Sequence, residues 1–158
     1  MDKTAIIPPS QLDVITKIKK LKDNKTTTAH LQIPHRLLDF IFSLENVNST
    51  SKLIILNLLK RQNWKLEHLF ISVSYGQLTS DLSLKRGSIS NSLKQLKENE
   101  IIEVMSGTTN KEKIRKIKEM IYNQTQKVTR SFHELNIYDL TPLYLKYFTY
   151  LNSELSHS

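Results

Sequence analysis

Six polar side chains between residues 85 and 94 have types and spacing that could read a flat hydrogen-bonding surface: Lys85, Arg86, Ser88, Ser90, Asn91 and Lys94. Arg86 carries a planar fork of N–H donors that matches a phosphate or a pair of acceptors. Asn91 holds one donor group and one acceptor side by side, so it can pair with a planar edge of the reverse pattern. The lysines add point charges, and the serines are short enough to permit close approach. In a helix these residues share a face. Ile89, Leu93 and Leu96 fall at i, i+4 and i+7 and make one apolar stripe, while Asn91 and Lys94 point away from it, flanked by Ser90 and Gln95.

The surrounding residues supply the elements that must hold this face. Ser74 is a good N-cap for a first helix with Leu78 and Leu82 inside. Ser83-Leu84-Lys85 allows only a sharp bend, and a second helix follows from Arg86 to Glu98. Asn99 is a C-terminal stop, and residues 100 to 104 form a β-rich run. The order Ser88-Ile-Ser-Asn91, Leu93, Leu96, Ile101-Ile102 resembles the winged helix-turn-helix superfamily over residues 50 to 145. That resemblance implies that the second helix enters the major groove of duplex DNA, which admits slim polar and basic groups. Asn91 would contact adenine, Arg86 guanine or phosphate, and Gln77, near the start of the preceding helix, the DNA backbone. Two other readings stay open. One is an amphipathic helix pair in another bundle; the other is a winged domain that serves as a protein-interaction scaffold.

The chain's 158 residues suit one domain with appendages, and its net charge of +8 points to a polyanionic partner. Between residues 85 and 130 there are 11 basic residues against 5 acidic ones, so the excess coincides with the proposed reading helix and the stretch after it. There is no cysteine, hence no disulfide and no thiolate zinc site. Gly76, Gly87 and Gly107 cannot build a phosphate-binding loop. The histidines show no zinc spacing and no His-x-His pair, and the carboxylates form no recognisable pair. His68, near Trp64, reads as a packing or surface residue. No enzyme, metal or cofactor is expected. No apolar run approaches a membrane span and Met1-Asp-Lys opens no apolar leader, so a cytoplasmic protein is expected.

Residues 1–48 read as an N-terminal arm with two accessory helices. Residues 1–9 should be mobile, with Pro8-Pro9 a stiff lead-in. Ser10 would cap a helix from Gln11 to Lys22 with Leu12, Ile15, Ile18 and Leu21 inside, its lysines either solvated or set to touch phosphate. Residues 23–28 read as a loop and Leu31 to Ile33 as a brief extended run. Pro34 would start a second helix to Leu44, burying Leu37, Leu38, Ile41, Phe42 and Leu44. The winged domain is expected over 49–145. Thr50 or Ser51 would cap its first helix, a central core helix made apolar on most sides by Leu53, Ile54, Leu56, Leu58 and Leu59 and ending near Gln62, and Phe70 to Val73 reads as a strand.

An ordinary wing would return directly after Val104. Here a helical stretch from Lys111 to Gln126 intervenes, a basic insertion in the wing. Ile114, Ile117 and Ile121 are spaced to dock, and Lys113, Arg115, Lys116 and Lys118 take the other faces. Lys113, Arg115 and Lys116 are therefore further candidates for DNA backbone contact. Val128 to Tyr138 reads as the returning strand. Asp139 or Thr141 would then cap a final helix over 141–156, with Pro142 in its first turn. Its stripe of Leu143, Tyr144, Tyr147, Phe148, Leu151 and Leu155 suits core packing or, alternatively, a homodimer seam. The phrase Ile137-Tyr-Asp-Leu-Thr-Pro-Leu143 resembles the end of the winged domain in plasmid and phage replication initiators. The expectation is a mainly α protein with a small β wing that binds double-stranded DNA. Replication initiation is the leading role, with transcriptional regulation the alternative.

Overall fold

The computed structural model describes residues 7–22, 35–62, 67–105, 111–125 and 136–156. Among these are seven helices and three strands: α1 (Pro9–Lys22), α2 (His35–Ser43), α3 (Ser49–Lys60), β1 (Phe70–Val73), α4 (Tyr75–Leu82), α5 (Arg86–Glu98), β2 (Glu103–Met105), α6 (Lys111–Thr125), β3 (Asn136–Asp139) and α7 (Thr141–Ser156). The protein is mainly helical with one small antiparallel sheet. Its strand order is β1-β3-β2, so the last strand lies in the middle. Tyr138 faces Ile71 on one side and Val104 on the other.

The sheet separates two apolar layers because successive side chains leave a strand on opposite faces. Ile71, Val73 and Tyr138 join the main core, built around Ile54, Ile55, Leu58 and Leu59 of α3. Val14, Ile15 and Ile18 of α1, Leu37 and Ile41 of α2, and Leu143, Tyr144 and Tyr147 of α7 complete it. One core thus runs through the N-terminal helices, the middle of the chain and the last helix. On the other face Phe70 and Ile137 meet Ile7 and the Ile114, Ile117 and Met120 side chains of α6. α6 therefore roofs this face of the sheet. Of the α7 stripe, Leu143, Tyr144 and Tyr147 are buried in the chain's own core and Phe148 and Leu151 pack partly against it, with Phe40 tilted against Tyr147 and Tyr150 at 5.8 and 5.3 Å between ring centroids.

Several expectations are corrected. α1 starts at Pro9, not after a Ser10 cap; the Pro8 carbonyl accepts from the Gln11 and Leu12 amides, and proline's fixed φ suits the first helical position. Its inward face holds Gln11 and Val14, with Leu12 only half-buried. In α2, Phe40 takes the core position and Phe42 is 60% exposed, since it lies about 160° round the helix from Phe40, away from the stripe that Leu37, Phe40 and Ile41 share. Asn48 caps α3 rather than Thr50 or Ser51: its side chain accepts from the Ser51 amide at 2.8 Å, the geometry in which asparagine ranks among the best caps. Leu53 of the same helix is exposed. β2 is shorter than the β-rich run. Ile101 donates back to Leu96 and Glu100 to Lys97, the double bond that closes a helix with a left-handed residue, so the chain is still turning until Ile102. Lys118 does not join the outer face of α6 but is buried. Trp64, the loop at 23–28, residues 31–34, most of Val128 to Tyr138 and the Leu21 and Leu155 side chains lie outside the described residues.

A buried polar junction ties α1 to the sheet. Gln11 donates to Asp139 at 3.2 Å and accepts from the Leu69 amide at 2.9 Å. The same Asp139 oxygen accepts from the Thr141 amide and hydroxyl, at 2.9 and 2.6 Å, and so caps α7. A buried carboxylate survives only when such partners satisfy it. His68 is a packing residue, its Nδ1 accepting from the Phe70 amide at 3.1 Å.

Candidate nucleic-acid interface

α5 is held from behind and open in front. Ile89 and Leu96 are fully buried and Leu93 nearly so, against α3 and α4. Gln95, half-buried, accepts from the Asn48 amide at 2.9 Å and the Ser51 hydroxyl at 2.8 Å, which fixes α5 to the start of α3. This corrects the expectation that Gln95 flanks the outer face: its carboxamide is a fastener. The spacing alone left it near the edge of the stripe, and only its partners in α3 decide.

Arg86, Ser88, Ser90, Asn91 and Lys94 are exposed along one side of α5, with Lys85 exposed at its N-cap. No side chain caps this helix and no acidic residue occupies its first turn. Its free amide groups and partial positive charge therefore coincide with Lys85 and Arg86, an arrangement that costs helix stability and attracts anions. The Arg86 guanidinium sits 5.2 Å from the centre of the Tyr75 ring, a cation–π contact that orients it from the first turn of α4. Gly87, on the same helix, carries no side chain for a sequence pattern to rank. A Cβ there would meet nothing within 4 Å, so the fold does not require glycine at this outward position. What glycine supplies is absence of bulk.

α4 is fastened separately. Ser74 caps it, accepting from the Gln77 amide at 3.1 Å. Asp81 accepts from Gln77 at 2.9 Å and Asn57 at 3.1 Å and pairs with Arg61 of the α3 terminus. The Gln77 side-chain amide, then Asn57 and Arg61, hold the Asp81 carboxyl down at about 2. Gln77 is exposed as a backbone contact would require, but its side-chain amide already has this internal use.

The positions on α6 differ. Lys113 is exposed and Lys116 half-buried. Arg115 is exposed but lies 3.0 Å from Glu119 and 3.7 Å from Glu112 on its own helix. Burial lowers the pKa of Lys118. The sheet stands between α6 and the core that carries α5, so the structure does not gather the two sets into one cluster.

Among the described residues no group of His, Asp or Glu is placed to hold a metal ion, and no helix is long and apolar enough to cross a membrane. No protein-family model, curated protein or solved structure matches this chain.

Proposed function

We propose that the chain is a non-enzymatic, sequence-selective binder of duplex DNA with a winged helix-turn-helix. α3, α4 and α5 form the helical part, and β1, β2 and β3 the sheet from which the wing extends. The observation that carries the reading is the outward face of α5: slim, polar, basic, and anchored by buried contacts on its opposite side. Major-groove reading needs that combination, because a side chain must be held still to discriminate base edges. Asn91 and Arg86 read bases, while Lys85, Lys94 and Gln77 meet phosphate.

Fluorescence anisotropy with labelled random duplexes tests this. A DNA binder loses affinity steeply as salt rises. No binding at low salt would sink the proposal and leave the interaction-scaffold reading. For the process, replication initiation of the plasmid or phage type is favoured on the likeness of residues 137 to 143. Footprinting on the DNA flanking the coding region separates it from transcriptional regulation: tandem repeats favour replication, a single palindrome over a promoter favours regulation.

A further inference from the structure

At the end of α5 opposite its open N-terminus, a cleft of about 460 Å³ lies between the α5–β2 turn, β2 and the first turns of α7. Ile102, Val104 and Leu145 contribute its apolar lining. Leu145 is 48% exposed, although Leu143, Tyr144 and Tyr147 around it are buried. The charged lining is Lys97, Glu100, Glu103 and Lys146, two of each sign. This balance stands out in a chain of net charge +8. Copies of a strongly basic chain repel one another over most of their surface. Around an apolar centre, equal numbers of both signs meet the compositional requirement of a two-fold contact, in which each residue i meets j of the other copy and j meets i.

Two further features point to the same place. β2 is an edge strand, so its outer backbone groups have no strand partner among the described residues. Glu100 holds φ of 56°, a left-handed conformation that glycine adopts without strain. The fold alone would favour glycine at this position; a glutamate there places a carboxylate at the cleft.

We propose that this cleft is the contact surface for a second copy of the chain, Leu145 of each copy seating in the cleft of the other with lysines facing glutamates around it. The α7 aromatic stripe plays no part in it. Because α5 is 13 residues long, the contact lies about 20 Å from the helix's open end and leaves that face uncovered.

Sedimentation velocity without DNA is the test, at protein concentrations up to about 100 μM. The wild type should show a monomer–dimer equilibrium, and Leu145→Asp should weaken it at least about tenfold. Two charge-reversed proteins make the decisive pair: Lys97→Glu with Lys146→Glu, and Glu100→Lys with Glu103→Lys. Each alone should be monomeric, and their equimolar mixture should dimerise. Glu100→Gly, assayed dilute enough to be monomeric, should melt higher than wild type yet dimerise more weakly. A wild type that stays monomeric throughout, a Leu145→Asp protein that dimerises as tightly as wild type, or a mixture that fails to associate would each overturn the proposal.

Discussion

α5 and α6 are both basic helices of similar length, and a count of charges favours α6. It carries Lys111, Lys113, Arg115, Lys116 and Lys118, where α5 has Arg86, Lys94 and Lys97. Their surroundings reverse the ranking. Lys85, Arg86 and Lys94 have no carboxylate within ion-pair distance among the described residues. On α6, Arg115 is flanked by two glutamates of its own helix and Lys118 is buried. Surface pairs at these spacings stabilise a helix by only a few tenths of a kcal/mol, yet they weaken the field that a distant phosphate would feel. A charge available to a polyanion is one the protein has not already used, and number alone does not measure that. The apolar faces differ in the same sense. α5 leans on the main core, where any shift moves its exposed polar face; α6 leans on a smaller cluster across the sheet.

The largest effects should come from beneath the two helices. Ile89→Ala removes a fully buried side chain between α5 and α3 and should cost about 2–5 kcal/mol in urea unfolding. Ile117→Ala should destabilise in the same range under α6. The contrast lies in binding: at a temperature where both variants are folded, the first should lose affinity for DNA and the second should not. Equal losses would erase the distinction. Next come the charges. Replacing Lys85, Arg86 and Lys94 together by alanine should flatten the salt dependence of DNA binding by about one unit for each lost phosphate contact. The matching triple of Lys113, Arg115 and Lys116 should flatten it by less than one unit, because Arg115 is already paired and Lys116 half-buried. A slope change as large as that of the α5 triple would assign α6 a direct place on DNA.

Much of the fold could be read in advance, and for reasons that differ by element. The limits of α5 coincide with those expected, and Ile89, Leu93 and Leu96 are buried, because a stripe of about two turns bounded by a tight bend and a stop leaves one register. Ser74 and the short strand from Phe70 were legible through local capping and alternation. Phe42, Leu53 and Lys118 were not, since periodicity ranks apolar residues but cannot say which neighbour arrives to cover them. Gln11 shows the same limit from the polar side: nothing nearby in sequence announces that Asp139, 128 positions away, will bond to it. At the candidate site the exposed polar face of α5 was visible in the pattern. The fastening role of Gln95, the Tyr75 support under Arg86 and the open space over Gly87 needed coordinates.

Two single substitutions sharpen the outer face of α5 itself. Asn91→Ala should cost about 1–3 kcal/mol of binding and relax preference at one base position, read by selection from a randomised duplex library. Loss of affinity spread evenly over all sequences would demote Asn91 to a backbone contact. Gly87→Ala should do opposite things to stability and binding. Alanine should raise helix stability by up to about 1 kcal/mol, with no clash to offset it, while the added methyl group stands on the face proposed to meet DNA. A variant that is more stable and binds as well as wild type would show that the groove does not approach Gly87.

The smallest effect concerns how α4, the partner of α5, is fastened. Asp81 titrates near 2 in the folded chain against an ordinary 3.8, through its bonds from Gln77, Asn57 and Arg61. A carboxylate with a depressed folded value stabilises the protein above its unfolded value, and that contribution fades as pH falls through the folded one. The fastening should thus be complete at neutral pH and lost between about pH 4 and pH 2. The pair is partly exposed to solvent, which screens it and keeps the effect modest. Asp81→Asn should be less stable than wild type at pH 7, with the gap closing toward pH 2 in parallel urea titrations. Asp81→Ala, which leaves no acceptor at this position, should free the Gln77 side-chain amide, so its DNA binding at pH 7 reports whether Gln77 is held ready by Asp81 or held away. Weaker binding means the clamp presents Gln77 to phosphate; stronger binding means Asp81 competes for it. Unchanged binding would strike Gln77 from the interface and confine contact to α5.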